Sequence, residues 1–279
     1  RLDLRGLVSG GVALILILTG LTFAGERLYR WQGALLFALG LVVMAAYVRD
    51  ALNKPAPLLN LRLIKDPLLQ TAMLIYQFVP GIFTGVSIVA MLYLQNLLTM
   101  PATVTGGMML PWALASFVAI TLTGRLFNRL GPRPLFITGC LVHGAGIGLL
   151  VLTGSAGDLP LCGLAFTLMG FGSSLCSSTA QSAAFIQIAD ADLADASALW
   201  NINRQLSFCC GVTIISLLFS VLAARGLPVM QAYHLCFAIA AGSALIPVLC
   251  CLRIANQHGG LELNQEQQCS VIVRKYGMP

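Results

Sequence analysis

No carboxylate falls inside any long apolar run of this chain. All ten Asp and Glu sit at the ends of those runs or in the polar segments between them. A carboxylate in hydrocarbon is costly and is kept only where it has a task. Whatever proton or cation chemistry drives the molecule is therefore not held by carboxylates here. Charge of either sign is scarce, at 9% of residues against ~25% in a soluble domain. Cys-x-x-Cys and Gly-x-Ser-x-Gly spacings are both missing. The adjacent pairs Cys209–Cys210 and Cys250–Cys251 raise a redox or metal reading. Cys in apolar surroundings acts as a small hydrophobe, however, and no His stands near either pair, so no metal site is expected. The Ser-rich stretch 170–182 has no His or Lys base at useful spacing, which argues against an intramembrane hydrolase and leaves no catalytic residue to name.

What is present is hydrophobicity, at 58% of the chain. A helix needs ~20 apolar residues to cross ~30 Å of hydrocarbon. Eight such spans are expected, near 6–24, 33–48, 68–94, 105–123, 135–153, 161–188, 198–222 and 232–252. None alternates as a barrel strand does, so the fold class is all-α: a polytopic integral membrane protein. The second span is short and calls for Trp31 and Tyr47 as interfacial anchors. The chain opens on Arg1, directly against the first apolar run, without a signal peptide, which suggests the C-terminal part of a longer protein.

Orientation follows from Lys and Arg on alternate loops. With residue 1 inside, thirteen basic residues lie inside and three (Arg27, Arg30, Arg225) outside. Both ends are thus expected in the cytoplasm, with the protein in the inner or plasma membrane. The formal net charge of +6 suits anionic lipid headgroups and calls for no nucleic acid. The proline-containing connection 49–67 divides two helices, 1–48, from a six-helix unit, 68–252, and a polar tail follows at 253–279. Six spans that begin and end inside suggest half of a two-fold repeated transporter.

The segment GRLFNRLGPRP, 124–134, is a basic hairpin between two helices. Gly124 is expected to permit close helix approach, and Gly131 with Pro132 to make the turn. Its spacing resembles the signature loop of the major facilitator superfamily, G-x-L-x-D-R-x-G-R-[KR], in its C-terminal-half form. Asn128 stands where that pattern has Asp, and it cannot form a charged latch. Three further stretches, PLLNLRLIKDPLL (57–69), MLYLQNLLTMPATVTGGMMLP (91–111) and ADLADASALWNINRQLSFCCGVTI (191–214), resemble the fourteen-helix drug/proton antiporters, the group of EmrB-type and MdtD-type exporters. RLDLRG, before the first span, resembles that group's approach to two extra central helices. The resemblance covers 1–252 and implies helices seven to fourteen of fourteen. It implies export of small hydrophobic or amphipathic compounds against a proton gradient, with no other cofactor. It also implies an absent N-terminal six-helix half that carries the acidic residues. Gly124, Asn128, Arg129, Gly131 and Arg133 then form a conformational-switch loop. A transporter of a defined metabolite, a membrane scaffold and a membrane enzyme are the rival readings.

On the same resemblance the third, fourth, sixth and seventh spans face a substrate cavity. Tyr76 and Gln77 flank an expected break at Pro80 and Gly81. They either line that cavity or bond neighbouring helices. Met108 and Met109 with Trp112 offer either a soft ligand surface or plain core packing. Gln181 is the one long polar side chain in 170–182. Asn203 and Arg204 lie inside the seventh span, where Arg204 either reaches back to the interface or meets an anion. His143 in the fifth span is read as a proton relay or a neutral hydrogen-bonded His.

Overall fold

A computed structural model describes residues 4–25, 28–53 and 60–253. The polar tail and part of the connection between the two units lie outside the described residues. Eight helices run through the rest: α1 (Leu4–Gly25), α2 (Arg30–Asn53), α3 (Pro67–Leu97), α4 (Ala102–Leu130), α5 (Pro132–Leu150), α6 (Leu159–Ala184), α7 (Leu193–Ala224) and α8 (Val229–Leu252). Seven are long and apolar enough to cross a membrane; α1 has a shorter apolar stretch, Val8–Ala24. The second span is not short, since α2 extends over 24 residues. Trp31 at its start is exposed, as an interfacial anchor should be, but Tyr47 is buried with its ring against Gly10.

Start and stop signals account for the boundaries. Asp66 caps α3, accepting from the N–H groups of Leu68 and Leu69 at 3.0 and 2.8 Å, with Pro67 at the first helical position. Gly131 ends α4 at φ 73°, a conformation that costs a side-chain-bearing residue, and Pro132 opens α5 at once. The expected break in α3 is a π-turn, Gln77–Gly81, with Pro80 inside it. A proline ring cannot donate to the carbonyl a turn earlier, so the helix widens there.

The six-helix unit, α3 to α8, has two large apolar cores and a small third one at Ala119, Leu135 and Leu175. One, near the end bearing the basic hairpin (the basic end), gathers Leu69, Ile75, Tyr76, Phe136, Cys140, Cys176 and Trp200. The other, toward the far end, gathers Tyr93, Ile147, Phe166, Met169, Ile215 and Phe237. Between them each of four helices has a small, broken or polar feature: the π-turn of α3, His143 on α5, Gly170 and Gly172 on α6, and Gly211 on α7. Gly211 packs so closely on α3 that a Cβ there would run into the Gly81 carbonyl. Helices α1 and α2 pack tightly on each other, and α1 also touches α7, where Thr213 Oγ1 donates to Leu21 O at 2.7 Å.

Candidate substrate-facing site

The zone between the two large cores gathers an aromatic cluster. Half-buried Phe83, two residues past the π-turn of α3, stacks on Trp112 of α4, with ring centroids 6.0 Å apart and planes at 9°. The indole lies over Gly170 of α6, where any Cβ would collide with Trp112 Cδ1. Its Nε1 is enclosed without a hydrogen-bond partner. Buried indole N–H groups ordinarily find one. Behind the plate His143 is fully buried, with its ring edge-on to Phe83 at 6.1 Å and Nδ1 3.4 Å from Met169 O. Ser116 donates to Gly170 O at 3.4 Å and Ser178 to Thr123 Oγ1 at 2.7 Å, stitching α6 to α4.

The other expected site residues are dispersed. Tyr76 is a core side chain, edge-on to Trp200 at 5.2 Å and tilted against Phe208 at 5.9 Å. Gln77 Nε2 donates to Asn203 Oδ1 at 3.1 Å, and Asn203 Nδ2 donates to Met73 O at 3.3 Å. These two residues do meet, but on the side of the bundle that faces α1 and α2. Met108 is buried in the far-end core. Gln181 and Arg204 are exposed near the basic end. Arg204 lies eleven residues into α7, a rise of about 16 Å.

In the hairpin, Arg133 Nη2 donates to Leu252 O at 3.5 Å, meeting the C-terminal end of α8. Arg125 and Arg129 are exposed and make no ion pair among the described residues. Gly124 is not a close-packing position, because a Cβ there meets nothing within 4 Å. Sequence reading also missed Phe83 and His234. His234 Nε2 lies 2.8 Å from Thr153 O and 3.2 Å from the Tyr93 hydroxyl, which itself donates to Thr153 O at 2.7 Å. The signal for Phe83 was an aromatic just past a mid-span proline.

An α3 broken at midplane, with an aromatic surface beside it and almost no charge within the spans, is an arrangement found in transporters. A family profile described as Major Facilitator Superfamily matches residues 4–212. The chain belongs to that superfamily. Members are transporters rather than enzymes, and this one is an integral membrane protein. It is 26% identical over 226 residues, 79% of this chain and 42% of the relative, to the uncharacterized MFS-type transporter YhcA of Bacillus subtilis. Over 196 residues, 70% of this chain and 38% of the relative, it is 28% identical to the drug efflux pump JefA of Mycobacterium tuberculosis. Over 220 residues it is 26% identical to the lincomycin resistance protein LmrB of Listeria innocua, covering 77% of this chain and 46% of the relative. The chain thus spans less than half the length of these curated relatives.

Proposed function

We propose that this chain forms the C-terminal part of a proton-coupled exporter of hydrophobic or amphipathic compounds that works by alternating access. The observation that carries this reading is the Phe83–Trp112 plate beside the π-turn of α3. It supplies a broad apolar surface and no charge, which suits ligands of varied shape rather than one metabolite. The relatives named for drug efflux and lincomycin resistance point the same way. In this reading the proton-carrying carboxylates belong to helices preceding residue 1, and both ends of the chain face the cytoplasm.

The test is transport in proteoliposomes by the intact parent protein, driven by a pH gradient. Trp112→Ala is expected to raise the aromatic drug concentration needed for half-maximal efflux about tenfold, a loss of ~1.4 kcal/mol, in line with ~0.5–1.5 kcal/mol for an aromatic pair beyond its area. Trp112→Phe should retain most of the affinity. Equal efflux by wild type and Trp112→Ala for every drug tried would overturn the assignment of this surface.

A further inference from the structure

A cavity of about 570 Å³ runs along the seam between the α1–α2 hairpin and the bundle. That volume lies within the ~300–1,000 Å³ range of ligand pockets. Its walls come from α1 and α2, from the turn Leu61–Lys65, and from α3 and α7. Two anchorages hold the hairpin against the bundle and leave the gap between them. At the far end Thr213 bonds Leu21 O. At the basic end α2 rests on the Leu61–Lys65 turn, which Asn60 ties to α7 through Asp195 at 3.0 Å and Asp192 at 3.4 Å.

The chemistry of the walls selects the occupant. Most lining side chains are aliphatic, among them Leu14, Ile17, Leu41 and Leu206. Gln77 and Asn203 satisfy each other and Met73 O, so beyond Tyr47 the wall offers little more than the Gln77 carbonyl oxygen. An ordered water needs two to four polar partners, so water is a poor filling. An empty seam would forfeit the dispersion contacts of all five walls, and a hydrocarbon chain restores them. Gly11 sets the depth, because a Cβ there meets nothing within 4 Å. At the basic end, Leu61 and Ile64 of the lining share their turn with exposed Arg62 and Lys65. Two cations at the end of an apolar slot match an anionic headgroup on a long tail.

We propose that this seam is a binding site for an anionic amphiphile with a long acyl tail, drawn from the surrounding bilayer. Bilayer phospholipid and free fatty acid share that chemistry. The experiment places the full chain in lipid nanodiscs doped, in separate arms, with phosphatidylglycerol, phosphatidylcholine or a fatty acid, each with the same photoreactive tail. Labelled peptides are mapped by mass spectrometry.

Labelling of α1 near Leu14 and α7 near Leu206 is expected, with phosphatidylglycerol favoured over phosphatidylcholine about tenfold through its two basic partners. Labelling in the fatty-acid arm alone would support the site and identify its source. Gly11→Phe should remove the seam labels and leave those on the lipid-exposed face of α4, at Leu114 and Phe117. Leu206→Trp, filling the slot from α7, serves if Gly11→Phe does not fold. Arg62→Ala with Lys65→Ala should erase the headgroup preference and keep the tail label. Seam labelling that survives a filled slot, or seam labelling by phosphatidylcholine as strong as that by either anionic amphiphile in the wild type, would overturn the proposal.

Discussion

At the scale of single residues, the glycines separate into those that packing requires and those it does not. Gly211 lies where α7 meets the carbonyl of Gly81, so Gly211→Ala must push two backbones apart. Overpacking of that kind costs ~1–3 kcal/mol, and thermal unfolding in detergent should show the variant melting well below wild type. Gly124 has open space around it, and Ala is preferred to Gly in a helix interior by ~1 kcal/mol. Gly124→Ala should therefore melt at or slightly above the wild-type temperature. The two glycines are indistinguishable in the sequence, because a close approach is a property of the neighbouring backbone. Gln77 and Asn203 were legible as polar positions. Their mutual bond was not, since 126 residues separate them.

At the scale of elements, the spans were readable because hydrocarbon dictates their length, and the break in α3 because proline cannot donate. The boundaries moved outward: α2 and α7 each extend past their apolar stretches, since a helix continues through polar residues until a cap or turn stops it. The loop before α6 shows the opposite signal, a capping box that starts a helical turn. Asp158 accepts from the N–H groups of Gly154 and Ser155 at 2.9 and 2.8 Å and from the Ser155 hydroxyl at 3.1 Å. Those bonds hold its carboxyl below the usual carboxylate range. A depressed carboxylate pKa stabilises the fold above the ordinary pKa, and that contribution is lost as pH falls through the lowered value. Amide exchange at Gly154 and Ser155 should stay slow at pH 5 and quicken on acidification toward pH 2, once the intrinsic pH dependence is removed. Asp158→Asn should exchange faster at every pH and lose that acid-dependent step.

At the scale of the whole molecule, the helical membrane architecture and the superfamily were legible in the sequence, and the placement of the site was legible only in part. Trp112 stacks on Phe83 over Gly170, whereas Tyr76 and Met108 went to the cores and Gln77 and Asn203 to the seam. Periodicity says that a residue is on a face; only the assembled bundle says which neighbour covers that face. Cysteine labelling in cells should find residues 125–133 inside and 96–103 outside. External labelling of the basic hairpin would reverse the proposed topology. On the proposed function, residues 1–279 alone should show no efflux driven by a pH gradient, and co-expression with the proposed N-terminal helices should restore some. Robust efflux by the isolated chain would sink the proposed division of labour.

Helices α5 and α8 are joined at both extremities, by Arg133 to Leu252 O at one and by His234 with Tyr93 around Thr153 at the other. Two antiparallel rods bolted together at each end can neither slide nor splay, so they behave as a stiff spar. The α-helical run of α8 is interrupted only at Ala244, between Ser243 and Leu245, which gives the spar one place to flex. Beside the spar α3 has two π-turns, Gln77–Gly81 and Tyr93–Leu97, and the second begins at the residue that ties α3 into the far joint. Spar and α3 are thus joined at Tyr93, so bending of α3 falls on its other π-turn, Gln77–Gly81, next to Phe83.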